Sequence, residues 1–236
     1  MEADLGWNRS ALVSALTIAS VVSGILSAPL GPLFDKYGAR FMMTIGALLG
    51  GASLILVAFA KQPWQYYAVM GLGMGAARPA LQTLGPRTAI ANWFIRKRPA
   101  AFGIFASGTP ASGLVIVPIL AWIVANTSWR MAWVFMGLLE LILVVPLSWF
   151  FMRRRPEDLG LLPDGDDPST VEAQRSNQAM TDTQKAVKEP VWTRSQALRT
   201  KAYWFLVLGF MFTSFPASSI FIHMVPYFQD RGLSAA

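Results

Sequence analysis

Cysteine is absent from this 236-residue chain, and histidine occurs only once, as His223. The absence of cysteine excludes disulfide bonds, zinc–thiolate sites and thiol nucleophiles. A single histidine leaves too few ligands for a histidine-based metal site, so we expect neither a metal nor another cofactor. The sequence also offers no set of serine, histidine and aspartate residues that could be assembled into a catalytic centre. These absences argue against an enzyme.

Charged residues are scarce, at 14% of the chain, whereas a soluble domain typically contains about 25%. The stretch 153–201 holds 17 of the 33 charges, and long runs elsewhere hold almost none. The net charge of +7 does not indicate a nucleic-acid partner, because the basic residues lie in short clusters at the ends of apolar runs. A lipid environment explains this distribution better than water does.

Six segments are long and apolar enough to cross a bilayer, whose hydrocarbon core of about 30 Å requires about 20 helical residues. They cover residues 11–33, 41–60, 66–93, 101–125, 129–151 and 202–226. The sequence therefore predicts an all-α polytopic membrane protein with the lipid bilayer as its surroundings.

Basic residues are distributed unequally between the two ends of these spans. The loops after the first, third and fifth spans carry eight Lys/Arg, and the opposite side carries four. The positive-inside rule places the eight in the cytoplasm and the first residues of the chain outside. Residues 153–201 are polar and mixed in charge, which predicts a cytoplasmic linker that is disordered around 163–190. A short surface helix is expected near 193–200.

The most specific motif runs from position 31 to position 40 and reads Gly-Pro-Leu-Phe-Asp-Lys-Tyr-Gly-Ala-Arg. It resembles the signature loop of the major facilitator superfamily, which joins the second and third helices of that fold on the cytoplasmic side. Gly31 would allow close helix approach, and Gly38 a tight turn. Asp35, with Lys36 and Arg40 nearby, would form a charge latch that breaks between transport states. The alternative is a basic loop that only sets topology.

This resemblance implies that the six spans are the second to seventh helices of a twelve-helix fold. Residues 1–152 would then be the N-terminal half without its first helix, 153–201 the central linker, and 202–236 the first helix of the C-terminal half. An additional span before Trp7 would also explain the outside N-terminus. The stretches 92–98, 153–165 and 223–232 resemble a bacterial branch similar to monocarboxylate and oxalate/formate carriers.

Arg78 lies in the middle of the third span, where a charge costs about 2.5 kcal/mol or more. On a helix, Gly71, Gly75, Gln82 and Gly85 fall near its face. The resemblance implies that this helix lines the transport cavity, so Arg78 and Gln82 are predicted to bind substrate. A guanidinium suits a carboxylate because it donates two parallel hydrogen bonds. The alternative is a structural arginine that is satisfied by an ion pair or by carbonyl groups.

Three weaker candidates complete the predicted site. Arg87 lies opposite Arg78 on an ideal helix unless a proline bends the span, and its alternative is to extend to the membrane surface. Glu140, in the fifth span, is a candidate proton carrier or a structural ion-pair partner; the resemblance implies a peripheral helix here. His223, in the sixth span, is a candidate for substrate binding or proton coupling. Its alternative is an interfacial histidine beside Tyr227.

The predicted function is secondary active transport of a small organic anion, such as a monocarboxylate, with a coupled proton or by exchange. The protein would reside in the inner cell membrane and work by alternating access around a midplane site. One alternative is efflux of an apolar or cationic compound, against which Arg78 argues. Another is a membrane sensor or scaffold that transports nothing, against which the Asp35 motif argues.

Overall fold

A computed structural model of the chain describes residues 2–166 and 194–230. Within these ranges every regular element is a helix, so the predicted all-α architecture is confirmed there. The chain divides into two compact units, Met1–Met180 and Thr181–Ala236. The first unit contains α1 (Glu2–Leu5), α2 (Arg9–Val57), α3 (63–93), α4 (Arg98–Asn126) and α5 (Trp129–Phe151), and the second contains α6 (Arg194–Arg199) and α7 (Lys201–Asp230).

Helix α2 covers 49 residues but comprises two helices joined across a kink, and each is about as long as the ~20 residues that cross a hydrocarbon core. It is broken at Gly38, whose backbone has φ 78° and ψ 165°. Only glycine adopts such angles without strain. The first two predicted spans, 11–33 and 41–60, therefore lie on either side of a one-residue break. The expected connection between them is a kink at Gly38, the residue predicted to permit a tight turn.

Membrane-length helices are present in the described part of the first unit. Three are long and apolar enough to cross a bilayer, namely Ser10–Val57, Arg98–Asn126 and Trp129–Phe151. The last of these begins at an N-cap, Ser128, whose hydroxyl accepts a hydrogen bond from the Met131 amide, as N-cap serines do. The described fold is thus that of a polytopic membrane protein.

Helix α3 is irregular along its length. Its α-helical turns Pro63–Tyr66, Gly75–Arg78 and Leu84–Trp93 alternate with π-helical stretches over Tyr67–Met74 and Pro79–Thr83. The second π-helical stretch begins at Pro79, which has no N–H to donate to the preceding turn. Such π-turns often accompany functional positions, and this one directly follows Arg78.

Glycines allow the helices of the first unit to approach closely. A Cβ added at Gly75 would lie 2.9 Å from the Ala19 carbonyl oxygen, where α3 meets the first half of α2. A Cβ at Gly137 would lie 2.6 Å from the Gly51 carbonyl oxygen, where α5 meets the second half. A buried hydrogen bond of 2.9 Å between the hydroxyls of Thr44 and Ser148 also joins α2 to α5. Helix α2 is therefore the element around which α3 and α5 pack.

Helix α4 differs from its neighbours because none of its residues is buried. A Cβ added at Gly103, Gly108 or Gly113 would meet nothing within 4 Å. The small residues of α4 therefore remain open in the described part of the first unit, and its contacts there are made without burying any side chain.

The beginning of the predicted linker is ordered. Two short 3-10 turns, Pro156–Leu159 and Pro163–Gly165, follow α5, so the expected disorder around 163–190 does not extend to its first residues. Residues 167–193, which include the rest of this stretch, lie outside the described residues. In the second unit, α6 confirms the expected helix near 193–200, and the Trp204 indole of α7 donates to the Leu198 carbonyl of α6 at 2.9 Å.

Candidate functional site

Arg78 lies at the last α-helical position before the π-helical stretch of α3. Its Nε donates to Oε1 of Gln82 and its Nη1 to Oγ of Ser20 on α2, both at 3.4 Å. We call these three residues the Arg78 cluster. Both contacts are long for N–H···O bonds, and a guanidinium has five N–H donors. Arg78 is therefore positioned by its neighbours and retains donors for a further acceptor.

The alternative role for Arg78, a structural ion pair, finds no partner in the described part of the chain. The salt bridge seen among the described residues joins Arg96 to Asp166 and does not involve Arg78. The Arg78 guanidinium instead rests on two neutral oxygens. Such an environment leaves the positive charge uncompensated, and an anion would compensate it.

The glycines predicted to share the face of Arg78 pack against α2, whereas Gln82 contacts the Arg78 guanidinium. An added Cβ at Gly71 would lie 2.7 Å from Ile18, and one at Gly85 would lie 2.5 Å from Cγ of Met43. Both glycines thus pack on α2 and do not line an open surface. The polar part of the predicted stripe is limited to Arg78 and Gln82, with Ser20 added by the fold. Serine on the first span carried no sequence signal that would have singled it out.

Arg87 is exposed and has no hydrogen bond to any described residue of the cluster. It remains a predicted site residue that the fold does not connect to Arg78. His223 lies within α7, but its side chain is outside the described residues. Its predicted role in substrate binding or proton coupling therefore stays a prediction.

Glu140 lies where α5 meets α2. Its Oε1 is buried and has no hydrogen-bond partner in the described structure. The carboxylate packs against Gly50, on the side where Ala77 of α3 also approaches. The described residues thus do not supply the ion-pair partner that a structural role for Glu140 requires. An ionised carboxylate is costly in such a place, so the position suits a group that exchanges a proton.

The motif between Gly31 and Arg40 is held by a residue of the segment that follows α5. The Arg154 side chain covers Gly38, where an added Cβ would lie 3.0 Å from its Cγ, and its Nη2 donates to the Asp35 backbone carbonyl at 3.0 Å. Gly31 continues the helix. The expected pairing of the Asp35 carboxylate with a basic group is not seen among the described residues, because Arg154 bonds the carbonyl instead.

The two basic residues of the motif contact aromatic rings. The Lys36 ammonium lies 5.1 Å from the centre of the Tyr37 ring, and the Arg40 guanidinium lies 4.6 Å from the centre of the Trp149 ring. Cation–π contacts of this kind stabilise a charge at the edge of a membrane. Arg40 thus joins the motif to α5.

Two stretches that carried the branch resemblance contact each other in the fold. The Asn92 side chain donates to the Arg154 carbonyl and the Trp93 indole to the Arg153 carbonyl, each at 3.2 Å. These bonds satisfy carbonyls just beyond the end of α5. They position Arg154 above the Gly38 break, and the sequence alone did not reveal this connection.

Asp164 anchors the start of the linker to the loop before α4. Its carboxylate accepts hydrogen bonds from the backbone N–H groups of Ile95, Arg96 and Lys97 at 2.8–3.2 Å. Burial alone would raise the pKa of Asp164, but these N–H donors and the Arg96 charge outweigh it and hold the pKa below its usual value. Asp164 has φ 64°, in the left-handed region. The Pro163-Asp164-Gly165 turn was the available sequence signal.

Comparison with known proteins identifies the family of the chain. The family model described as Major Facilitator Superfamily matches residues 1–236. The hexuronate transporter of Escherichia coli (strain K12) is 25% identical over 223 residues, which cover 94% of this chain and 48% of that transporter. Monocarboxylate transporter 12 of Rattus norvegicus is 27% identical over 226 residues, covering 89% and 44% of the two chains. The chain spans about half the length of the curated relatives it matches.

Proposed function

The chain belongs to the Major Facilitator Superfamily, and from this premise we propose that it forms part of a secondary carrier for a small organic anion. The carrier would reside in the inner cell membrane, with the linker after α5 in the cytoplasm, and would work by alternating access. Relatives named for hexuronate and monocarboxylate transport support an anionic substrate, because both compounds bear a carboxylate. No enzymatic activity is proposed.

The Arg78 cluster is the observation that carries this proposal. The Arg78 guanidinium, in the middle of the third predicted span, donates two long hydrogen bonds to neutral oxygens of Ser20 and Gln82. Its remaining N–H donors suit the two oxygens of a carboxylate. Arg78 would therefore bind the substrate carboxylate, with Gln82 and Ser20 orienting the guanidinium.

The test is uptake of labelled organic acids by the complete reading frame that encodes this chain. A hexuronate, an aldonate and a short monocarboxylate serve as probes in cells that express the carrier. Arg78→Gln should reduce uptake at low substrate concentration by about tenfold or more, the effect of losing a hydrogen bond to a charged group. Arg78→Lys should retain part of the activity, because it keeps the charge but loses the two-pronged geometry.

Lys61→Gln is the matched control, since it removes one positive charge from an exposed position away from the cluster. It should leave uptake unchanged. Normal uptake of the same acid by Arg78→Gln, at equal expression, would remove Arg78 from the site. Transport of an apolar or cationic compound in place of every acid would instead favour the efflux alternative.

Proton coupling through Glu140 is a finer part of the same proposal. It is motivated by the buried carboxylate oxygen without a partner. If Glu140 carries the proton, Glu140→Gln should abolish acid-driven uptake but preserve exchange of substrate across the membrane. Equal loss of both modes would assign Glu140 a structural role and leave His223 as the remaining candidate.

A further inference from the structure

A basic cavity lies between the Gly38 break of α2 and the end of α5, separate from the Arg78 cluster. It has a volume of about 480 Å³. Its walls combine three arginines with three aromatic residues: Tyr37, Arg40, Phe41, Trp149, Arg153 and Arg154. A single carboxylate, that of Asp158, also lines it. The lining therefore carries an excess of positive charge.

Arg40 is the most enclosed of the three arginines. Its Nε is buried and has no hydrogen-bond partner among the described residues. Its guanidinium is stacked on the Trp149 ring, which fixes its plane. Arg40 therefore contributes a positive charge of fixed position to the cavity wall.

The other two arginines, Arg153 and Arg154, retain N–H donors that the described residues do not use. One Nη of Arg154 donates to the Asp35 carbonyl, and Arg153 has no salt bridge in the described structure. Several N–H donors, from α2 and from the segment that follows α5, thus line the same cavity. Guanidinium groups bind phosphate oxygens in pairs, which makes a cluster of them selective for phosphate.

The exposed aromatic residues around the cavity favour a lipid over a soluble anion as its ligand. Trp149 is 44% exposed, Phe41 43% and Tyr37 49%. Phe150 and Phe151, the next residues of α5, are exposed further still, at 66% and 78%. Exposed aromatic side chains at the end of a membrane helix are typical of the headgroup region. A ligand with a phosphate and acyl chains matches both parts of this surface.

We propose that this cavity binds the phosphate of an anionic phospholipid from the bilayer leaflet at this end of the helices. Basic pockets between membrane helices are suited to such headgroups. The site is distinct from the substrate site and depends only on the membrane location of the proposed function. Since Arg154 covers Gly38 and Arg40 contacts Trp149 of α5, the lipid would stabilise the packing of α5 on the motif.

The experiment measures lipid binding by native mass spectrometry of the purified protein in detergent. Phosphatidylglycerol and phosphatidylcholine with identical acyl chains are titrated against the wild type and three variants. Arg153→Gln and Arg40→Gln should each weaken phosphatidylglycerol binding by about tenfold. Arg155→Gln removes the same charge from the same segment but outside the cavity, and should bind phosphatidylglycerol as the wild type does.

Three outcomes would overturn the proposal. Equal affinity for phosphatidylcholine would exclude recognition of the anionic headgroup, and equal weakening by Arg155→Gln would reduce the effect to general charge. Displacement of the lipid by inorganic phosphate or glycerol 3-phosphate would assign the cavity to a soluble phosphate compound. Thermal unfolding verifies that Arg40→Gln is folded, and Arg153→Gln provides an independent test if it is not. The experiment measures lipid binding and does not require transport, so the result would stand even if the carrier proposal failed.

Discussion

Helices α3 and α4 follow each other in the chain, and both contain glycines and prolines within an apolar sequence. The glycines of α3 press against α2, where an added Cβ at Gly75 would approach a carbonyl oxygen at 2.9 Å. Those of α4 face open space, and no residue of α4 is buried. Small residues therefore mark where another helix is able to approach closely, but they do not identify which helix does so.

The packed helix α3 and the open helix α4 also differ in the hydrogen bonds of their polar side chains. Arg78, on the packed helix, is positioned by contacts from its own helix and from α2. The equivalent polar groups of α4, Ser107 and Ser112, bond only to carbonyls of their own helix.

The largest effect on stability should come from adding a methyl group to a packed glycine of α3, in comparison with an open glycine of α4. Gly75→Ala should destabilise the protein by about 3 kcal/mol, because the new Cβ would collide with the backbone of α2. Gly108→Ala should be neutral or stabilise the helix by up to about 1 kcal/mol, since alanine favours helix and meets nothing there. Thermal unfolding in detergent compares the two variants. Equal destabilisation would contradict the difference between α3 and α4.

A second pair of variants extends the comparison to turns. Gly38 and Gly160 both have positive φ, of 78° and 69°, but only Gly38 is covered by the Arg154 side chain. Gly160→Ala should be destabilising by about 1 kcal/mol from backbone strain alone. Gly38→Ala should cost more, about 2 kcal/mol, because its ψ of 165° lies in a region essentially restricted to glycine and the new Cβ would also meet Arg154.

Denaturation midpoints by tryptophan fluorescence measure this pair. Combining Gly38→Ala with Arg154→Ala should recover the steric part of the loss, because the covering side chain is then removed. If the double variant shows no such recovery, the contact between Arg154 and Gly38 has no energetic consequence.

The smallest effect should appear at the start of α4, which Asp164 ties to the linker. Because the folded-state pKa of Asp164 is lowered, its contribution to stability is present above the unfolded pKa of about 3.9. It is lost as the pH falls through the lower folded value. Asp164→Asn should remove this acid dependence.

Hydrogen exchange provides the measurement for Asp164→Asn. Faster exchange is expected at the amides of residues 95–97, which lose their charged acceptor, and no change is expected in α3. Asp158→Asn is the matched control, because this exposed aspartate lies on the same segment without bonds to that loop. Faster exchange in both variants would mean that the loop responds to general charge.

Several features of the fold followed from the sequence because their causes are local. The apolar runs predicted helices on either side of Gly38, and a glycine was the only residue able to take φ 78° there. The four-residue spacing of Arg78 and Gln82 predicted a shared face, which their hydrogen bond reflects. Whether that face binds substrate stays a prediction, as do the boundaries of the two halves and the linker.

Other features depend on residues that are far apart in the chain. Arg154 bonds Asp35 across 119 positions, and Asp164 reaches Arg96 across 68. A backbone carbonyl or amide has no sequence identity, so nothing at Asp35 or Arg96 indicated which distant side chain would bond it. The placement of Glu140 against Gly50 likewise depended on how α5 packs on α2.

The sequence by itself determined that this chain is a membrane protein of helices, and which of its charges lie within them, because hydrophobicity and backbone propensity act over neighbouring residues. Only the tertiary structure decided which glycines are packed and which remain open, and which basic residues meet at the end of α5. Those outcomes depend on the approach of helices that are distant in sequence, and such contacts follow from shape as well as from composition.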